Sequence, residues 1–278
     1  MLAQLGEDAK LLAGGQSLVP LMKLRFANPS HLVDLNFVPG ATYIKQENGA
    51  VSFGTLTRHS EIEKSAIADL IPIIHDCAAG IADVQIRNRG TIGGSLAEAD
   101  PSGDWATVLL TLKTELRCLS PRGERTIPLA EFITDAYTTV LQPDELVREV
   151  VVKVPEKGSG GAYLAFKRSA PVYPTASAAV QLTMEGDVCK DAAMVLGCMG
   201  LVPVHVTEAE AALRGHRIDG KALDAAMEAA HEAADPQPDM RGSAEYKKSL
   251  VAALVKRASE AAMQRARGKR VEVSHIYA

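Results

Sequence analysis

Apolar positions in the first half of the chain come in short runs, each closed by glycine, proline or charged residues, so the pattern predicts many brief elements. Lys10–Ala13 reads as a strand that stops at Gly14-Gly15. Beyond Ser17, residues Leu18, Leu21, Met22 and Leu24 recur at helical spacing on one face. His31–Leu35, Thr42–Lys45 and Val51–Thr55 read as strands, the last two around a turn at Asn48-Gly49. Ser60 to Ala68 predicts a short helix, and Ile71–Ala79 a second that accommodates Pro72 in its first turn. After the Gly-rich stretch Gln85–Leu110, strands are expected at Glu115–Leu119, Arg125–Pro128 and Val147–Val154.

Lys157–Gly161 is rich in Gly and Ser and reads as a linker, because a packed element there would lose conformational entropy. Beyond it the pattern lengthens. Ala162–Arg168, Thr175–Glu185 and Ala192–Cys198 form a second set of strands, followed by Ala-rich helices at Glu208–Leu213, Lys221–Ala234 and Ala244–Arg267. In the last helix Leu250, Leu254, Arg257 and Ala261 share a face, with Lys247, Lys248 and Lys256 expected in water. The expected class is α+β in two domains, 1–157 and 162–278.

Composition narrows the function. The 278 residues carry 30 Lys+Arg against 34 Asp+Glu, a net charge of −4 that gives no basic surface for nucleic acid. Aromatics at 4% exclude a stacking platform for single strands. No apolar run approaches the length of a membrane span, and the N-terminus lacks a secretory pattern. The four cysteines are scattered, without a C-x-x-C pair, and the seven histidines show no metal-ligand spacing; a reducing cytoplasm and no metal are expected, with His59, His75 and His231 on the surface or in packing.

Two segments share one physical design. Ala13-Gly14-Gly15-Gln16-Ser17-Leu18 and Thr91-Ile92-Gly93-Gly94-Ser95-Leu96 each carry a double glycine into a helix. Glycine admits positive φ and close approach, and a helix start offers unpaired N–H donors, so each is a candidate anion cradle; two could grip the two phosphates of a dinucleotide. A plain Gly-Gly turn is the competing reading of either one alone. Neither is a G-x-x-x-x-G-K-[ST] loop or a G-x-G-x-x-G fingerprint, which excludes the P-loop and Rossmann sites. Arg87 and Arg89 flank the second loop, either as pyrophosphate partners or as solvated charges.

In combination, AGGQSLVPLMKLR (13–25), NRGTIGGSLAEADPSGDWATVLL (88–110), ELVREV (145–150), GSGGAYLAFKRSA (158–170) and DPQPDMRGSAEYKKSLVAALVKRA (235–258) closely resemble the FAD-binding medium subunit of the molybdenum hydroxylases, over nearly the whole chain. The resemblance implies a vanillyl-alcohol-oxidase/PCMH-type FAD-binding domain followed by a smaller sheet-plus-helices domain. It places FAD pyrophosphate contacts on Ala13, Gly14, Gly15, Gln16, Ser17 and Leu18, and on Thr91, Gly93, Gly94 and Ser95. It matches Asp104 to polar contacts with the ribityl–phosphate region, and Leu146 and Val147 to an apolar pair bordering the flavin or adenine. Lys167 falls near the isoalloxazine, and Tyr173 against the ring face. Family members carry a strand and most of a helix before the position that matches Met1.

The resemblance further implies an oxidoreductase subunit with no catalytic side chain of its own. A small subunit with [2Fe–2S] clusters and a large molybdenum subunit would be its partners, in a dimer of heterotrimers, and NAD, a quinone or dioxygen the final acceptor. Two other readings compete: a self-contained FAD reductase like UDP-N-acetylenolpyruvoylglucosamine reductase, and a flavin-free assembly subunit.

Overall fold

The computed structural model describes residues 2–169, 172–273 and 276–277. After α1 (Leu2–Leu5), strand β1 (Ala9–Leu12) leads through the first double glycine into α2 (Leu18–Lys23) and back to β2 (His31–Asp34). The two strands pair in parallel, Ala9 opposite His31 and Leu12 opposite Asp34. Parallel neighbours require a crossover, and α2 is that crossover.

A hairpin follows, β3 (Ile44–Glu47) and β4 (Ala50–Gly54), turned at Asn48 and Gly49, both at positive φ (51° and 73°). A pair of positive φ angles matches the twist of the strands it joins, hence the Asn-Gly sequence. Six short helices come next: α3 (His59–Glu63), α4 (Ile67–Leu70), α5 (Pro72–Gly80), α6 (Val84–Arg87), α7 (Ile92–Glu98) and α8 (Asp104–Leu109). The single helix expected over 60–68 is thus two. The Ser65 hydroxyl donates to the Ile62 carbonyl at 2.8 Å, a local bond at the point where the first helix stops. Strands β5 (Thr114–Ser120) and β6 (Gly123–Pro128), the small pair β7 (Ile133–Asp135) and β8 (Thr138–Thr139), and β9 (Leu146–Lys153) complete this half. The main sheet is antiparallel, in the order β3-β4-β9-β5-β6. Its alternating inward positions, among them Val51, Phe53, Leu116, Cys118, Val150 and Val152, pack against Ile73, Ile74 and Cys77 of α5 and Trp105, Val108 and Leu109 of α8.

The second sheet is built from β10 (Ser159–Lys167), β11 (Ala176–Glu185) and β12 (Val188–Gly197), with short edge strands β13 (Val204–His205) and β14 (Ile276–Tyr277), in the order β13-β12-β11-β10-β14. Helices α9 (Thr207–Leu213), α10 (Gly220–Ala233) and α11 (Ala244–Ala266) cover one face. Strand β10 serves both cores. Ala162 and Leu164 face the helical layer, whereas Tyr163 and Ala165 belong to the core of the first half.

Two expectations are corrected here. The Gly/Ser stretch is no linker: Gly158 turns at φ +84°, and Ser159, Gly160 and Gly161 already pair with β11. A Cβ at Gly160 would collide with the α11 backbone at Ala262 and Ala266, and one at Gly161 with the Gln181 side chain. These glycines admit close packing rather than freedom. In α11 the buried face runs through Lys247, Val251, Leu254, Val255, Ala258 and Ala262, with Arg257 exposed. Lys247 is not in water: its ammonium donates to the Gln237 carbonyl (2.7 Å) and pairs with Asp239 (2.9 Å), satisfying the charge that burial would otherwise penalise.

Candidate functional site

The two glycine loops, nearly eighty residues apart in sequence, touch. A Cβ on Gly14 would strike the Arg89 carbonyl and the Cα of Gly90, just ahead of the second loop, and one on Gly94 would lie 3.7 Å from the Ala13 side chain. Side chains lock the approach. Asn36 Nδ2 donates to the Ala13 carbonyl (2.9 Å), Arg58 Nη2 donates to Asn36 Oδ1 (2.6 Å), and Arg58 Nη1 donates to the Arg89 carbonyl. One arginine thereby ties β2, α3 and the entry to the second loop together.

Between the loops lies a cavity of about 300 Å³. Ala13, Gly14, Gly15, Gln16, Ser17 and Leu18 form one wall, Gly90, Thr91, Gly94 and Ser95 another, and Asp100, Asp104 and Tyr173 also line it. The two loops differ in what they offer. Among the described residues, the amides of Gly14 to Leu18 donate to no acceptor, so this turn has free N–H groups for an anion. At the second loop the amides are committed: Ile92 to Thr57, Gly93 to Thr55, Gly94 to the Thr91 hydroxyl and Ser95 to the Thr91 carbonyl. There Thr91 Oγ1, already accepting, keeps its own proton to donate, and Ser95 adds a second hydroxyl.

Gly93 does not line the cavity. It is buried, and its missing Cβ makes room for the Thr55 side chain and carbonyl at the end of β4. Its φ is not positive, unlike that of Gly15 (+75°). Leu146 and Val147 lie on β9, paired with Leu119 and Cys118; Val147 is in the core of the first half, and neither lines the cavity. Their apolar character is explained by the sheet. Arg87 pairs with Glu63 at 2.9 Å and donates to the Ile81 carbonyl, and the Arg89 side chain is exposed; neither lines the cavity.

Lys167 is fully buried behind the cavity wall. Its ammonium donates to the Gly80 carbonyl at 2.5 Å and lies 3.7 Å from Asp104. Tyr163 donates its hydroxyl proton to the same Asp104 oxygen at 2.7 Å. Two side chains of β10 thus fix a cavity carboxylate on α8. Tyr173 is half-exposed at the mouth; partial burial and then the Asp100 charge hold its hydroxyl proton more tightly than usual. Glu98, on the same wall, has its carboxyl pushed up by burial and by Asp100.

The sequence marks His59 only as a surface or packing residue. It is 5% exposed and lines the cavity, and Trp105 Nε1 donates to its Nδ1 at 3.0 Å. Burial lowers its pKa to about 4. Nothing in the spacing of the histidines marked it; only the fold brings it beside Gly90. Asn36, Arg58 and Asp100 escaped sequence reasoning for the same reason. Among the described residues no His/Cys/Asp/Glu cluster could hold a metal, and the four thiols are unpaired.

Converging loops with free amides and hydroxyl donors suit a diphosphate, and the comparisons agree with that chemistry. Residues 1–156 match the family described as FAD binding domain in molybdopterin dehydrogenase, and 161–262 match the CO dehydrogenase flavoprotein C-terminal domain; the chain belongs to this flavoprotein family. It is 39% identical over 268 residues to the carbon monoxide dehydrogenase medium chain of Afipia carboxidovorans, covering 96% of this chain and 93% of that one. It is also 39% identical over 277 residues to the 6-hydroxypseudooxynicotine dehydrogenase complex subunit alpha of Paenarthrobacter nicotinovorans, covering 99% and 94%. The solved carbon monoxide dehydrogenase of Hydrogenophaga pseudoflava superimposes with a TM-score of 0.92 at 38% identity, over 95% of this chain and 92% of that one. Quinoline 2-oxidoreductase of Pseudomonas putida 86 gives 0.90 at 32%, over 95% and 92%.

Proposed function

We propose that the chain is the FAD-carrying medium subunit of a heteromeric molybdenum hydroxylase. The observation that carries the reading is the contact of the two glycine loops around a cavity whose first wall presents five uncommitted amides. Gly14 to Leu18 would hold the pyrophosphate through the main chain, and Thr91 and Ser95 through hydroxyls, all of them donors matched to an acceptor-only anion. Asp104, held by Tyr163 and Lys167, would take hydroxyl protons of the ribityl stretch, and Tyr173 would stand at the ring. Gly93, Leu146 and Val147 have no part in this assignment.

The chemistry supplied by bound FAD is two-electron transfer, from [2Fe–2S] clusters on a small subunit to an external acceptor such as NAD, a quinone or dioxygen. The polypeptide binds, orients and shields. Residues 1–157 would form the flavin domain and 162–278 its C-terminal companion, with a large molybdenum subunit completing a dimer of heterotrimers. The names of the relatives, medium chains and subunits of dehydrogenase complexes, support that partnership. No helix of the described residues is long and apolar enough to cross a membrane, and four unpaired thiols support a cytoplasmic setting.

The test is purification of the chain with and without its candidate partners. A yellow protein releasing one FAD per chain, and joining an iron–sulfur chain and a molybdenum chain, is the expected result. A protein that stays colourless after incubation with FAD would sink the reading. Steady NADPH oxidation by the isolated chain would favour the self-contained reductase instead.

A further inference from the structure

The His59–Trp105 pair has a consequence for ligand binding. An indole nitrogen only donates, so the Trp105 bond at 3.0 Å makes His59 Nδ1 the acceptor and places the proton of the neutral ring on Nε2. The partner that sets the tautomer is rigid: Trp105 is fully buried on α8, its ring centroid 6.0 Å from that of His59. The Nε2 edge lies at Gly90, where a Cβ would come within 2.6 Å of it, and no described residue accepts the Nε2 proton. Nε2 is not among the fully buried polar atoms left without a partner, so it keeps access to the cavity that the ring lines and is free to donate to a ligand oxygen there.

We propose that His59 is a binding residue for FAD: a neutral imidazole, locked by Trp105 in its Nε2–H form, that donates a hydrogen bond to an acceptor oxygen of the dinucleotide. The proposal rests on the FAD reading and deepens it. The charged groups facing the ring are Asp104 from α8, Arg58 beside it and Arg87 from α6. Asp104 favours the imidazolium, but it is already engaged by Lys167 and Tyr163, whereas both arginines and burial oppose the charge. Protonation would also put a hydrogen on Nδ1 against the indole N–H. The residue therefore contributes a donor that persists unchanged through the neutral range.

The test is FAD titration of the full chain, followed by flavin fluorescence. His59→Phe keeps a ring but removes the donor, and is expected to weaken FAD binding at least ~10-fold. His59→Gln, whose amide nitrogen stands near the Nε2 position, is expected to recover most of that loss. Trp105→Phe frees the tautomer, so part of the His59 population should carry its proton on Nδ1, visible by ¹⁵N-histidine NMR, and FAD affinity should fall at constant pH. A His59→Phe protein that binds FAD as tightly as the parent overturns the role while leaving the flavoprotein reading intact; a parent that binds no FAD removes the reading beneath it. Should the variants fail to fold, ¹⁵N-histidine NMR on the parent decides: FAD should shift the Nε2–H resonance of His59 and leave Nδ1 unprotonated, and an unmoved Nε2 overturns the proposal.

Discussion

Gly14, Gly15 and Gly93 look alike in sequence yet are required for three different reasons. At Gly14 a side chain would meet the backbone of Arg89 and Gly90, and neither can swing away. Gly14→Ala should therefore part the loops and lower FAD affinity by ~10-fold or more, a loss on the scale of one or two strong hydrogen bonds, measured by equilibrium dialysis. At Gly15 the demand is φ +75°, so Gly15→Ala should cost about 1–2 kcal/mol in urea unfolding. At Gly93 the neighbour is Thr55, so Gly93→Ala should destabilise the FAD-free protein, by about 1–3 kcal/mol, as overpacking does. His59 gives a residue-scale prediction in pH. Its folded pKa of about 4 lies below the ordinary histidine value of 6.5, so the unfolded chain takes up the proton first and stability falls as pH drops through that window. Between pH 7 and pH 4.5 the loss amounts to roughly 2 kcal/mol, and His59→Gln should flatten it in unfolding curves compared at those two values.

Strand β10 shows how one element can join two cores. Its alternation sends Tyr163, Ala165 and Lys167 one way and Ala162 and Leu164 the other. Beside it, Arg265 of α11 grips Asp76 of α5 with both guanidinium nitrogens, at 2.5 and 2.9 Å, and also donates to the Gly161 carbonyl. Removing one member of a buried pair leaves the other charged and unsolvated. Arg265→Ala should thus cost about 3–5 kcal/mol in denaturant unfolding, and Asp76→Leu combined with Arg265→Met should recover much of it. At this scale the sequence was legible wherever periodicity had a single cause: β5, β9, α5 and α10 fall within a residue or two of expectation. It misled where one residue type serves opposite ends. Glycines 160 and 161 signalled looseness but provide closeness, and Lys247 signalled solvent but is itself buried, bonded to the Gln237 carbonyl.

For the molecule as a whole, the thiols report on integrity. Burial pushes Cys118 and Cys189 up to about 11 and Cys198 up to about 12, and Cys77 is buried in the core of the first half. Thiolate is the reactive form, so native protein at pH 8 should resist iodoacetamide and label fully only after unfolding, as mass spectrometry would show. The amino-acid order alone determined the α+β class, the longer strands and helices and the two double-glycine loops, because these depend on local spacing and on a residue without a side chain. Tertiary structure decided which of the glycines face a cavity, which carboxylate two side chains of β10 hold in place, and that an unremarkable histidine lines that same cavity. Those outcomes depend on groups tens of residues apart being pressed together, and their energies come from desolvation and close contact that a linear pattern does not contain.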